Sequence, residues 1–519
     1  MLFNSYEFIF LFCPVTIFIF FLIGSKGYSS SAIVWLVCAS LFFYGWWNPA
    51  YLLLITGSMV FNYGTGKVLG KQENSGLKNR IMLTFGISMN LALIGYYKYA
   101  NFFVDNLNAV SGSSFHLEPI ILPLAISFFT FQQIAYLVDA YKGLTREYRF
   151  FHYALFVTFF PQLIAGPIVH HQEVLPQFAE KKIFRPNYEH LAVGLTIFFF
   201  GLFKKAVLAD GIAVYASPVF KNAQAGEILT FFEAWGGALS YTFQLYFDFS
   251  GYSDMAVGLG RIFGICLPMN FNSPYKSENI TEFWRRWHIT LSRFLKNYLY
   301  IPLGGNRKGM FMRYVNLMIT MLLGGLWHGA GWPFVLWGGL HGFYLVIHHF
   351  WMEFQRKYHQ TKSESIFSRF MSRFVTFVAV VAAWVFFRAE SYGAAVNMLR
   401  GMFGCNGISL PAAVGYALGP VRGILEHLGI TFGLGGGTVF AATYIWIVCL
   451  FFIVFFMPNT QEILRKFKPV YNFRISSEME KIKILCWEPS VKWAFFSGMI
   501  AAVSILALTQ VSEFLYFQF

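Results

Sequence analysis

The sequence predicts an all-α protein that crosses a membrane many times. Hydrophobic residues make up 56% of its 519 positions and charged residues only 12%, too little charge to cover a water-exposed surface. Several apolar runs reach or approach the ~20 residues that a helix needs to span a bilayer. Lys and Arg collect in the loops between them, as expected for cytoplasmic loops. The net charge of +14 therefore belongs first to those loops, and nucleic acid is not an expected partner. A second use of the basic face is an anionic cytoplasmic ligand, such as a nucleotide-bearing cofactor. The six Cys are scattered without a CxxC pair, so neither a disulfide framework nor a metal site is expected.

Residues 8–23 and 32–47 read as the first two spans, and Asn48-Pro49 turns into a third that ends near Lys67. No basic stretch or cleavage site surrounds the first run, which reads as a retained helix rather than a signal peptide. Lys67, Lys71, Lys78 and Arg80 place the next loop inside. Residues 81–100 cross outward, 101–118 form an outer loop, and 119–140 return to a basic inner loop at Lys142, Arg146 and Arg149. This alternation puts the N-terminus outside. Pro161, Gly166 and Pro167 break the apolar stretch 150–169, which suits a re-entrant segment better than a full crossing.

Residues 190–209 cross outward, although Lys204 and Lys205 oppose the charge rule at that end. The span 230–249 returns inside. Further crossings fall at 374–388, 439–457 and 493–511, with the Gly-rich segment 390–438 outside. The sum is roughly ten or more crossings plus one or two re-entrant hairpins. A single integral-membrane domain over residues 1–519 is expected, with no separate soluble domain and with the C-terminus extracytoplasmic.

The chemistry is concentrated between Phe271 and His349. In TEFWRRWHITLSRFLKNY, Asn279 and Glu282 form a capping pair. Trp284, His288, Leu291 and Leu295 then share one face of a predicted helix. Its basic residues suit either the headgroup level of a membrane or an anionic ligand. His288 on the apolar face is either structural or catalytic; position alone does not decide. PLGGNRKG, with Arg307 and Lys308, is either a tight turn or a loop whose amides approach phosphate.

GLWHGAGWPF holds His328 near a helix break, among glycines that let backbones pack closely. An imidazole in an apolar segment suits general-base chemistry, or it is a histidine satisfied by a neighbouring helix. His341 lies about 20 Å further on if the helix is unbroken. His348 and His349 read as solvated. Asp248, Asp254 and Arg261 stand in an apolar context and read first as buried structural pairs. There is no hydrolase elbow, HExxH or nucleotide-binding fingerprint. A polar-solute transporter is the non-enzyme alternative, though the internal repeat it would favour is not visible.

Seven strings carry a resemblance: LPLAISFFTFQQIAYLVDAYKG (122–143), FFPQLIAGPI (159–168), FQLYFDFSGYSDMAVGLGRIFG (243–264), NFNSPYKSENITEFWRRWHITLSRFLKNYLYIPLGGNR (270–307), LLGGLWHGAGWPFVLWGGLHG (322–342), WVFFRAE (384–390) and MPNTQE (457–462). In order and together they resemble the membrane-bound O-acyltransferases (MBOAT), in particular the bacterial branch typified by alginate O-acetyltransferase. The resemblance implies a helical bundle with a central tunnel, a bacterial inner-membrane location, and an acyl donor that enters from the cytoplasm. That donor is a thioester such as acetyl-CoA, a substrate rather than a permanently bound cofactor.

The family's catalytic histidine falls on His328 and its second characteristic histidine on His288. Arg285, Arg286, Arg307 and Lys308 would receive the donor. The ending FLYFQF resembles a signature of this branch, which makes Tyr516 a possible acyl carrier; alternatively it belongs to an interfacial aromatic belt. Implied partners are the lipid bilayer, an extracytoplasmic transferase and a polysaccharide acceptor of the alginate type. Peptidoglycan acetylation and D-alanyl transfer are the alternatives.

Overall fold

A computed structural model of the chain describes residues 1–71, 76–145, 149–358, 365–473 and 485–509, together with Leu515. Five of its helices are long and apolar enough to cross a membrane: Phe8–Ser25, Tyr188–Gln224, Gly309–His328, Ile366–Arg388 and Gly437–Phe456. Ser29–Gly45 and Val491–Ala507 are shorter apolar helices. The other expected crossings fall on helices that are shorter, kinked or more polar. The polytopic helical class holds. Two short strands, Ile408–Pro411 and Ile430–Leu434, pair in parallel within the Gly-rich segment and were not foreseen.

The centre of the bundle is the 32-residue helix Phe231–Ile262, whose side chains are almost all buried. It lies against the 37-residue helix Tyr188–Gln224. Glycines allow that contact. A Cβ on Gly201 would stand 2.5 Å from the Gly251 carbonyl oxygen, and one on Gly258 would stand 2.5 Å from that of Gly194. Backbone therefore meets backbone, and the gain is dense van der Waals packing.

Lys204 and Lys205 fall inside this helix pair rather than at an outer end. Lys204 Nζ pairs with Asp254 at 2.6 Å, and Lys205 Nζ with Asp248 at 2.7 Å and Asp210 at 2.8 Å. The charge rule fails there because the lysines face carboxylates, not a loop. Asp248 and Asp254 are thus paired as expected, and Arg261 reaches Glu189 at 3.5 Å.

One further expectation is corrected and another holds. The outer loop expected at 101–118 is helical through Ser111, because Leu77–Ile94 continues through a wide turn at Gly95–Tyr99 into Ala100–Ser111. The stretch 150–169 is broken as foreseen, into helices Phe150–Thr158 and Phe160–Leu163, each too short to cross. A third short helix, His171–Phe178, follows.

Candidate active site

The helix predicted across Trp284–Leu295 is two helices, Ile280–Arg286 and Ile289–Leu295. Asn279 caps the first, accepting from the Glu282 amide at 2.9 Å. The break falls at His288, whose backbone is left-handed with φ of 42°. A neighbouring segment holds it open: Ile289 N–H donates to the Asn270 carbonyl, and Asn272 N–H to that of Arg286, each at 2.9 Å.

His288 is buried, with Nδ1 3.1 Å from Asn270 Oδ1. That oxygen also accepts from Thr290 N at 3.3 Å and Thr290 Oγ1 at 2.9 Å. An atom receiving a backbone N–H must be the amide oxygen, so His288 Nδ1 carries the proton. Nε2 is then the basic nitrogen of the neutral ring.

His328 is the last residue of Gly309–His328, and Gly329 leaves the helix in an extended conformation. The chain turns back into Trp332–Tyr358. Glycine again sets the spacing of this hairpin: a Cβ on Gly338 would stand 2.3 Å from the Met321 carbonyl oxygen. The terminal carbonyls of a helix lack partners within it. Here Tyr99 Oη donates to Leu326 O at 2.8 Å, and Lys98 Nζ donates to the carbonyls of Trp327 and His328. A cation at this end also opposes the helix dipole favourably.

The His328 ring is buried between Trp327, Trp337 and Phe387, at centroid distances of 4.8, 5.0 and 5.1 Å. Its Nδ1 has no hydrogen-bond partner among the described residues. That is the atom a triad carboxylate would hold. His288 also neighbours the Trp327 indole, at a centroid distance of 6.2 Å. The hairpin also corrects the separation expected for His341. This ring packs 4.9 Å from Trp337, so His328 and His341 share one indole. Neither nitrogen of His341 has a hydrogen-bond partner among the described residues.

Two clefts approach this cluster. One, of about 480 Å³, is lined by Lys98, Asn101, Asp105 and the two residues after His328, Gly329 and Ala330. The other, of about 350 Å³, is lined by Arg285, Lys296, Arg313, His349 and Trp284. Trp284 touches both His341 and Trp337, at 5.1 and 5.8 Å.

Of the residues expected to receive a donor, Arg285 lines the basic cleft, whereas Arg286 is engaged by Glu282 at 2.7 Å. Arg307 and Lys308 are exposed in a tight turn beside Asn306, which does line it. His349 is not simply solvated: its Nδ1 is 2.7 Å from Arg313. Tyr516 lies outside the described residues. Asn270, Lys98 and Tyr99 were not singled out from the sequence, although a lysine within an apolar span is itself a signal.

The arrangement suits proton transfer at a buried imidazole that has two clefts near it. Comparison with known proteins names the chemistry. Residues 141–387 match MBOAT, the membrane-bound O-acyltransferase family. The chain is 48% identical over 438 residues to a peptidoglycan O-acetyltransferase of Helicobacter pylori, covering 79% of this chain and 81% of the relative. It is 43% identical over 411 residues to a probable alginate O-acetylase AlgI of Pseudomonas putida, covering 78% and 80%. A teichoic acid D-alanyltransferase of Bacillus subtilis is more distant, at 28% over 276 residues, covering 51% and 66%. These matches replace the transporter alternative, and the chain belongs to the membrane-bound O-acyltransferase family as an O-acyltransferase.

Proposed function

We propose that this enzyme moves an acetyl group from cytoplasmic acetyl-CoA to a hydroxyl of a cell-envelope glycan, with His328 as general base. The observation that carries this reading is a buried imidazole, held at a capped helix end, with one cleft beside the following Gly329 and another beside Trp284. The basic cleft suits the phosphates of the donor, through Arg285, Lys296 and Arg313. By the positive-inside rule that cleft faces the cytoplasm of an inner-membrane protein, and the cleft beside Gly329 faces out.

In the proposed step, His328 takes the proton of the attacking hydroxyl as its oxygen bonds to the thioester carbonyl carbon. The carbon–sulfur bond then breaks, and the thiolate leaves with that proton as the thiol. His288 Nε2, near Trp327, assists as a second base or fixes the site.

The attacking hydroxyl belongs to Tyr516 or to the final acceptor. Supporting Tyr516 is its neighbour Leu515, which is buried in the same apolar cluster as Trp337 and Phe387. Its backbone amide also hydrogen-bonds to Asp248. A chain end anchored only at the membrane interface would not need that. An extracytoplasmic transferase would then carry acetyl to the glycan. Peptidoglycan stands ahead of an alginate-type exopolysaccharide as acceptor, on 48% against 43% identity to the respective relatives.

The test is ester-linked acetate in separated envelope fractions from cells with the intact enzyme or with His328→Ala at equal membrane levels. Loss from one fraction supports the reading and names the acceptor. Unchanged acetate in every fraction removes either His328 as base or acetyl as the group moved.

A further inference from the structure

Away from the histidine pair around Trp327, a second cluster forms at the inner end of helix Ile126–Tyr141. Asp139 Oδ2 lies 3.4 Å from His171 Nδ1 and 3.6 Å from His170 Nδ1. All three donor atoms lie within 4.8 Å of one another. Asp139 and His171 are buried and His170 is half-buried. Tyr298 Oη stands beside them, 2.8 Å from Asp139 Oδ2 and 3.2 Å from His170 Nδ1.

Hydrogen-bond direction restricts what this cluster is. The Leu144 carbonyl is 3.5 Å from His171 Nε2 and accepts from Gln172 Nε2 at 3.2 Å. A carbonyl only accepts, so the proton of a neutral His171 sits on Nε2. Its Nδ1 is then a lone pair aimed at a carboxylate oxygen. Two such atoms repel unless a positive charge joins them: a second proton on the ring, or a metal ion.

Distance favours the metal. A charged N–H···O⁻ bond closes to ~2.7–2.9 Å. Two ligands on a tetrahedral zinc, with bonds of ~2.0–2.2 Å, stand ~3.3–3.6 Å apart. The observed 3.4 and 3.6 Å fall within that ligand spacing. A ring whose other nitrogen donates to a backbone carbonyl is also the usual outer arrangement of a metal-bound imidazole. The loop is itself secured: Glu173 accepts from the His170 amide at 2.9 Å and from Arg293 Nη2 at 2.9 Å.

We propose that Asp139, His170 and His171 bind a divalent transition-metal ion, zinc by chemistry of the donor set, with water completing four ligands and Tyr298 hydrogen-bonded to Asp139 beside it. The ion would clasp the segment after the broken helices to the end of Ile126–Tyr141. This is a binding site separate from His328, proposed where the sequence led to no expected metal.

The test uses the purified full chain in detergent, with any affinity tag removed, stripped with chelator and then given zinc alone. One zinc per chain by elemental analysis is expected, together with a rise in unfolding temperature. Asp139→Asn and His171→Asn should weaken zinc binding more than about tenfold and abolish the rise. His116→Ala, on an exposed histidine, should keep both. No retained zinc and no thermal shift in the intact protein would overturn the proposal and leave a protonated His171 paired with Asp139. Undiminished zinc in both variants would overturn it as well. Neither of those results depends on which acyl group the enzyme moves.

Discussion

Two groups of polar side chains lie inside this apolar bundle, and they are opposites. Lys204 and Lys205 meet Asp254, Asp248 and Asp210 at 2.6–2.8 Å, cation against anion. His328 and His341 sit among indoles and phenyl rings with nitrogens that no described residue satisfies. Burying a charge is tolerated when it is paired. Burying an unpaired polar nitrogen costs free energy and gives nothing back to the fold. The paired group is therefore architecture. The unpaired group is where a substrate hydroxyl or a water can be received.

That contrast is open to attack from both sides. The largest effect is expected at His328: replacing it with Ala should lower acyl transfer about 10²–10⁴-fold, with the protein level in the membrane unchanged. Labelled acetyl transfer by purified membranes measures the first and immunoblotting the second. Lys205→Met should show the reverse. Removing the cation that Asp248 and Asp210 share should destabilise the fold by about 3–5 kcal/mol, seen as a lower unfolding temperature in detergent, while turnover per folded molecule is kept. If Lys205→Met abolished turnover without loss of stability, the division into architecture and chemistry would fail.

Asn270→Ala removes the shared acceptor of His288 and Thr290. A loss of about 1–3 kcal/mol is expected in stability, with a matching fall in kcat and little change in KM for the donor. The smallest effect is expected from Lys98→Met, which uncaps the His328 helix: about 0.5–2 kcal/mol by thermal unfolding.

The buried polar residues were more legible than the path of the chain. His328 stood out because an imidazole in an apolar run has to be explained, and the acidic residues at 248 and 254 for the same reason. Their lysine partners were visible too, but were read only as opposing the charge rule at an outer helix end, because that rule reads side chains without their neighbours. The break at His288 left no trace in the helical spacing. It depends on backbone bonds to Asn270 and Asn272, which lie in a different segment. Asp139 and the His170–His171 pair stand about thirty residues apart, so no motif joins them until the broken helices fold the segment back. Arg285 and Arg286 are adjacent in sequence but diverge, one into the basic cleft and one onto Glu282.

The lengths of the helices set how the molecule meets its bilayer. At 1.5 Å per residue, Tyr188–Gln224 extends about 55 Å and Phe231–Ile262 about 48 Å, against a hydrocarbon layer of ~30 Å. A pair so overlong stays in register with membranes of any ordinary thickness, by tilting or by projecting at the ends. Ser29–Gly45 and Val491–Ala507, at 17 residues each, reach only about 26 Å. Hydrophobic mismatch therefore falls on them, and lipids beside them must thin. Acyl-chain length in reconstituted vesicles should consequently act on the enzyme through this short rim rather than through the long central pair.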